Sequence, residues 1–126
     1  MSTRLNQILK DLITRGNKEK QIRYRQLGRG LNLIYTPAAD ETGPATLRLS
    51  RDPKLKANSD GPPYPVTVYP SDKEVAIVKG SLERFIGMAA TASLEVSDPR
   101  EIEKKGKKFG SIIITWYWVD QGELSL

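Results

Sequence analysis

The groups in this chain with the clearest capacity for chemistry are cations set beside aromatic rings. Arg23 and Arg25 flank Tyr24, Arg29 sits between two glycines, and Arg48 lies in a second alternating run. Lys104, Lys105, Lys107 and Lys108 surround Gly106, and Trp116 follows on the same C-terminal segment. Guanidinium and ammonium groups suit phosphate oxygens, and aromatic rings stack on unpaired bases. Arg23, Tyr24, Arg25, Arg29, Arg48, Lys104, Lys105, Lys107, Lys108 and Trp116 are therefore the candidate nucleic-acid contacts. Each has a plainer alternative. The arginines can keep an exposed sheet face soluble, the lysines can form a solvated turn, and the tryptophan can fill a core.

The rest of the composition narrows the chemistry further. The chain of 126 residues has no cysteine and no histidine. Thiolate metal sites, a cysteine nucleophile and a disulfide framework are excluded. The commonest general acid–base and the commonest metal ligand are missing too, so a Ser-His-Asp triad cannot be built. Neither G-x-G-x-x-G nor a P-loop pattern occurs. We therefore expect no metal, no cofactor and no catalysis. An enzyme acting on an anionic substrate is the remote option. Its only close constellation is Tyr69, Asp72 and Glu74, and a helix cap already accounts for part of it. The net charge of +5 is unevenly placed. Residues 1–30 carry eight Lys/Arg against two Asp/Glu, and residues 99–108 carry five against two. Clustered charge of this kind attracts polyanions.

These groups must be positioned by a small set of elements. Leu5, Ile8, Leu9, Leu12 and Ile13 form one stripe of an N-terminal helix over 3–15, with Ser2 or Thr3 as its cap and Gly16-Asn17 as its stop. Covering one side of a sheet is preferred for it over detaching to bind a partner. Residues 21–51 read as a basic three-stranded meander. In Ile22–Leu27 the side chains alternate, so Ile22 and Tyr24 share one face and Arg23 and Arg25 the other. Gly28-Arg29-Gly30 tolerates the positive φ of a tight connection. Leu31–Tyr35 returns, and Thr46–Arg51 alternates again with Leu47 and Leu49 inward and Arg48 outward. If these strands are neighbours, Arg23, Arg25 and Arg48 can share one face, although a one-residue slip in register inverts it.

The second half begins with a Pro/Gly loop over 52–65, either a flap or a long connection, in which Lys54 and Lys56 extend the basic surface. A short strand fenced by Pro65 and Pro70 follows. Ser71-Asp72-Lys73-Glu74 is a capping box that opens a helical segment over 71–92, with a break expected near Gly80; a strand over 74–78 is the alternative. The small-residue run Met88–Ser93 suits close packing, a dimer contact included. Asp98-Pro99-Arg100-Glu101 opens another helical turn. Residues 110–119 form a central strand with Trp116 and Trp118 on one face and Tyr117 on the other. Asp120–Glu123 is a turn. The N-terminus lacks the continuous apolar core of a signal peptide, and no apolar run approaches the roughly 20 residues of a membrane span. A cytoplasmic location is the expectation, with no membrane partner.

The C-terminal passage KKFGSIIITWYWVDQGEL resembles a strand–turn passage of the PC4-type single-stranded-DNA-binding coactivators, relatives of the plant Whirly proteins. The shared features are a basic lead-in with a glycine, an aliphatic strand ending in adjacent aromatics, then aspartate and Gly-Glu. The resemblance implies a curved antiparallel sheet packed on helices, dimerisation, and single-strand binding across the sheet, with Lys107, Lys108 and Trp116 at the matching positions.

The sequence thus leads to an α+β fold: a twisted antiparallel sheet of about five strands in a single domain, with helices on one side. It leads to a non-catalytic nucleic-acid-binding protein for single-stranded DNA or RNA, the single strand favoured over duplex, with a homo-oligomer allowed. The alternative is a protein–protein adaptor or assembly subunit. One concave basic patch favours the first; dispersed charge beside an exposed apolar edge favours the second.

Overall fold

The apolar stripe of the first segment folds as helix α1, Thr3–Glu19, and buries Leu5, Ile8, Leu9, Leu12 and Ile13. The structure, a computed structural model, describes residues 3–41, 43–86 and 94–118. The Ser2 cap, the run Met88–Ser93 and the turn Asp120–Glu123 lie outside the described residues. The helix does not stop at Gly16-Asn17. Gly16 is buried, and a Cβ there would stand 2.6 Å from Tyr35 Cδ2. The glycine is needed so that the tyrosine ring can lie against the helix backbone. Asn17 then accepts the Tyr35 hydroxyl at 2.6 Å. The chain leaves the helix at Lys20, whose φ of 56° is left-handed.

The meander forms as expected. Strands β1 (Arg23–Gln26), β2 (Leu31–Thr36) and β3 (Pro44–Arg51) are successive antiparallel neighbours. A 3-10 turn over Gly28–Gly30 joins the first two, with Arg29 at φ 66° and Gly30 at φ 77°. The Pro/Gly segment carries its own hairpin, in which β4 (Lys54–Lys56) pairs with β5 (Tyr64–Val66) apart from the main sheet. Helix α2 spans Asp72–Ile86 and runs unbroken through Gly80. Its capping box is formed: the Glu74 N–H donates to Ser71 Oγ at 3.1 Å, and the Ser71 N–H donates to Glu74 Oε1 at 2.8 Å.

The helical turn expected at Asp98–Glu101 does not form: Asp98 and Pro99 are irregular and a strand begins at Arg100. Strands β6 (Glu95–Val96) and β7 (Arg100–Lys104) both pair with the long strand β8 (Lys107–Tyr117). Pro99 suits a helix start locally, but pairing to β8 gives Ile102 a cross-strand partner in Phe109, which a helix would forgo. The sheet order is β1-β2-β3-β8-β6, with β7 also alongside β8, making six antiparallel strands among the described residues. The fold is α+β.

One cluster joins the layers. Leu33, Tyr35, Leu47, Leu49, Ile112, Ile114 and Trp116 point from one sheet face into the stripe of α1 and into Val75, Val78, Leu82 and Ile86 of α2. Ser81 of α2 donates to Asn6 Oδ1 near the start of α1, so that helix is fastened at one end by Asn6 and at the other by Asn17. Among the described residues, no helix is long and apolar enough to cross a membrane.

Candidate nucleic-acid interface

Register decides which candidate residues meet. Tyr24 lies opposite Ile34, which lies opposite Arg48, which lies opposite Ile113. Arg23 lies opposite Tyr35, and Arg25 opposite Leu33. Residues directly paired in an antiparallel sheet share a face. Tyr24 and Arg48 therefore share the face that, among the described residues, carries no helix, whereas Arg23 and Arg25 belong to the helix-covered face. The expected grouping of Arg23, Arg25 and Arg48 is corrected accordingly. The reason is the position of β1 at the sheet margin. There the arginine stems lie along the rim of the core while their charged heads stay wet. Arg23 reaches Glu19 of α1 at 3.6 Å, a surface pair worth at most a fraction of a kcal/mol to about 1 kcal/mol.

The uncovered face forms a cleft of about 500 Å³. Its floor is Ile34, Asn32 and Arg48. Tyr24 borders it on the β1 side, and Ile102, Lys104 and Phe109 of the β7–β8 hairpin border it opposite. Tyr24 is 60% exposed, yet its hydroxyl donates to Asn32 Oδ1 at 2.9 Å. Asn32 is buried and donates in turn to Asp52 Oδ1 at 3.0 Å. Arg48 Nε is buried without a hydrogen-bond partner. An unmet buried donor costs roughly 1–3 kcal/mol, so the cleft floor holds a group that an incoming acceptor would satisfy. Asp52 places one carboxylate in the lining.

The lysine cluster forms the tip of the β7–β8 hairpin. Lys105 and Gly106 make its two-residue loop with φ of 52° and 78°, the left-handed pair of a type I′ turn. Lys104 lies opposite Lys107 on the cleft side, and Lys108 lies opposite Glu103 on the other. All four lysines are exposed. Arg29 projects from the β1–β2 turn and borders a separate hollow with Arg51 and Lys54.

Trp116 does not belong to this surface. It is 1% exposed, stacked on Tyr35 with ring centroids 6.0 Å apart, and met edge-on by Trp118 at 5.7 Å. Its ring fills the core, and no base can reach it.

Among the described residues, two titratable groups are tuned by their surroundings. Burial raises Tyr35 to about 12, against weaker lowering by hydrogen bonds with Trp118 and Asn17. Burial also acts to raise Glu74, but hydrogen bonds from Arg51 and the Ser71 backbone, with the Arg51 charge, outweigh it and hold the carboxyl below its usual range. Arg51 grips Glu74 with both Nε and Nη2 and donates to the Arg29 carbonyl. The capping residue is thus also a structural ion pair.

Sequence reasoning missed Asn32, Phe109 and Arg15. Asn32 gave a signal, a lone amide within the apolar run Leu31–Tyr35. Phe109 gave a weaker one, directly after the lysines. Arg15 gave none, because its neighbours come from β1. The chain matches no protein-family model, no curated protein and no solved structure.

Proposed function

We propose that this protein binds single-stranded nucleic acid along the uncovered face of its sheet, without catalysis. One observation carries this: Tyr24, Arg48, Phe109 and Lys104 border or floor a single cleft. Tyr24 and Phe109 offer rings to unpaired bases. Lys104 at the rim, with Lys107 paired to it across the hairpin, offers charge to the backbone, and the unmet Arg48 Nε offers a donor to a base edge or a phosphate. Single strands are favoured over duplex because both rings need unstacked bases. A DNA or an RNA single strand offers these bases and phosphates alike, and the test carries both.

The assay is fluorescence anisotropy with labelled single-stranded DNA, duplex DNA and single-stranded RNA across a salt series. We expect micromolar or tighter binding of the single strand at physiological salt, lost in a Tyr24→Ala/Arg48→Ala double variant. Binding seen only at low salt and untouched by that pair would refute a dedicated face.

A second function, assembly through the sheet margin, is favoured by a different observation. Among the described residues β1 has a strand partner on one side only, and beside it Ile22 is 63% exposed. The basic groups are also divided among the cleft, the α1–β1 seam and the hollow near Arg29. Sedimentation of the protein with and without the single strand separates the two.

A further inference from the structure

Behind β1, on the side away from the cleft, α1 and β1 enclose a second hollow of about 170 Å³. Arg15 enters it from the helix, and Arg23 and Arg25 enter from the strand. Asp11 is the carboxylate in its lining, and it accepts from Gln7 at 3.3 Å. Glu19 pairs with Arg23 at 3.6 Å. Among the described residues, Arg15 and Arg25 make no ion pair. Arg15 and Arg25 therefore border one small concavity with Asp11 as the carboxylate in its lining, and positive charge is in excess there. Such an arrangement matches the size, charge and donor demand of a phosphate group.

This hollow and the cleft are not independent. Tyr24 lines both, and only the single four-residue strand β1 separates them. We infer that Arg15, Arg23 and Arg25 form a phosphate subsite, and that a strand lying in the cleft leaves it by turning over β1 at Tyr24. The track rests on the proposed function of the cleft. The subsite alone does not, because it reads phosphate and no base. Arg15 and Arg25 are exposed and outside the apolar core, so both can be truncated without opening a cavity.

The test compares the intact protein with an Arg15→Ala/Arg25→Ala variant, using two probes. The first is a series of oligo-deoxythymidylates from four to twenty nucleotides, titrated by anisotropy across salt. The second is tripolyphosphate, titrated by calorimetry. For the long strands we expect a loss of about tenfold and a salt slope shallower by roughly 0.7 for each phosphate contact removed. The shortest strands, which the cleft alone can hold, should bind the variant as they bind the intact protein. Tripolyphosphate should bind the intact protein and bind the variant several-fold more weakly. Strands of every length binding both proteins alike, with tripolyphosphate unaffected, would overturn the subsite and leave the cleft standing. No strand binding at all, with tripolyphosphate still lost in the variant, would overturn the cleft and the track while the anion subsite stood.

Discussion

The Tyr24 hydroxyl reaches across the β1–β2 pair to donate to Asn32 Oδ1 at 2.9 Å, and Asn32 passes its own amide hydrogen to Asp52. An exposed aromatic ring is thus held by its polar tip. Holding the ring before a ligand arrives removes part of the ordering cost of stacking on it. Tyr24→Ala should weaken single-strand binding by about 1–3 kcal/mol, the usual worth of one stacked base. Tyr24→Phe, which keeps the ring and drops the tether, should lose less. Equal losses in an anisotropy titration would place the effect in the hydroxyl rather than the ring.

Gly16→Ala should destabilise the fold. Inside a helix this change ordinarily stabilises by roughly 1 kcal/mol. Here the new methyl would meet the Tyr35 ring at 2.6 Å, and overpacking of that kind costs about 1–3 kcal/mol. Urea denaturation gives the sign directly. A rise in the midpoint would mean that the ring and helix can part at little cost.

Stability should fall at both ends of the pH scale for separate reasons. Glu74 has a depressed pKa in the folded state, so its contribution is complete above the unfolded carboxylate value and drains away as pH falls through the folded one. Tyr35 is raised from 10.0 to about 12, so the folded state loses ground as pH climbs across that interval. Thermal melts of Glu74→Gln should show a flatter acid limb, and melts of Tyr35→Phe a flatter alkaline limb. Unchanged limbs would assign the pH dependence to other groups.

Lys105 occupies a left-handed position that favours glycine or asparagine. Lys105→Asn should raise the melting temperature, by the equivalent of about 1 kcal/mol or less. It should also weaken strand binding slightly, through the loss of one cation at the hairpin tip. A variant that gained stability with no loss of affinity would remove Lys105 from the interface.

The alternation in Ile22–Leu27 and Thr46–Arg51 is enough to mark strands, because that period is local, while their pairing as neighbours comes from the fold. The alternation could not say which face is covered. At a marginal strand the burial demand is weak, and Arg23 and Arg25 tolerate the inward face by extending past the core. Gly16 reads locally as a helix stop, because a stop and a close ring contact call for the same residue and Tyr35 is distant in sequence. Pro99 was misread because a helix start is a local signal, whereas the pairing of Ile102 with Phe109 is decided by β8. Trp116 was open to both assignments until the register set it opposite Ala45 on the core face. Arg15 gains its candidate role only from β1, which no helical pattern can announce.

The fastening of α1 at Asn6 and again at Asn17 has a consequence for how the molecule opens. With both ends tied to other elements and five apolar side chains buried between them, this helix cannot fray inward from either terminus without disrupting the core. Its central amides should exchange with deuterium only when the whole domain unfolds, at the same rate as those of β3 and β8. Arg15 would then be carried by the slowest-exchanging part of the protein.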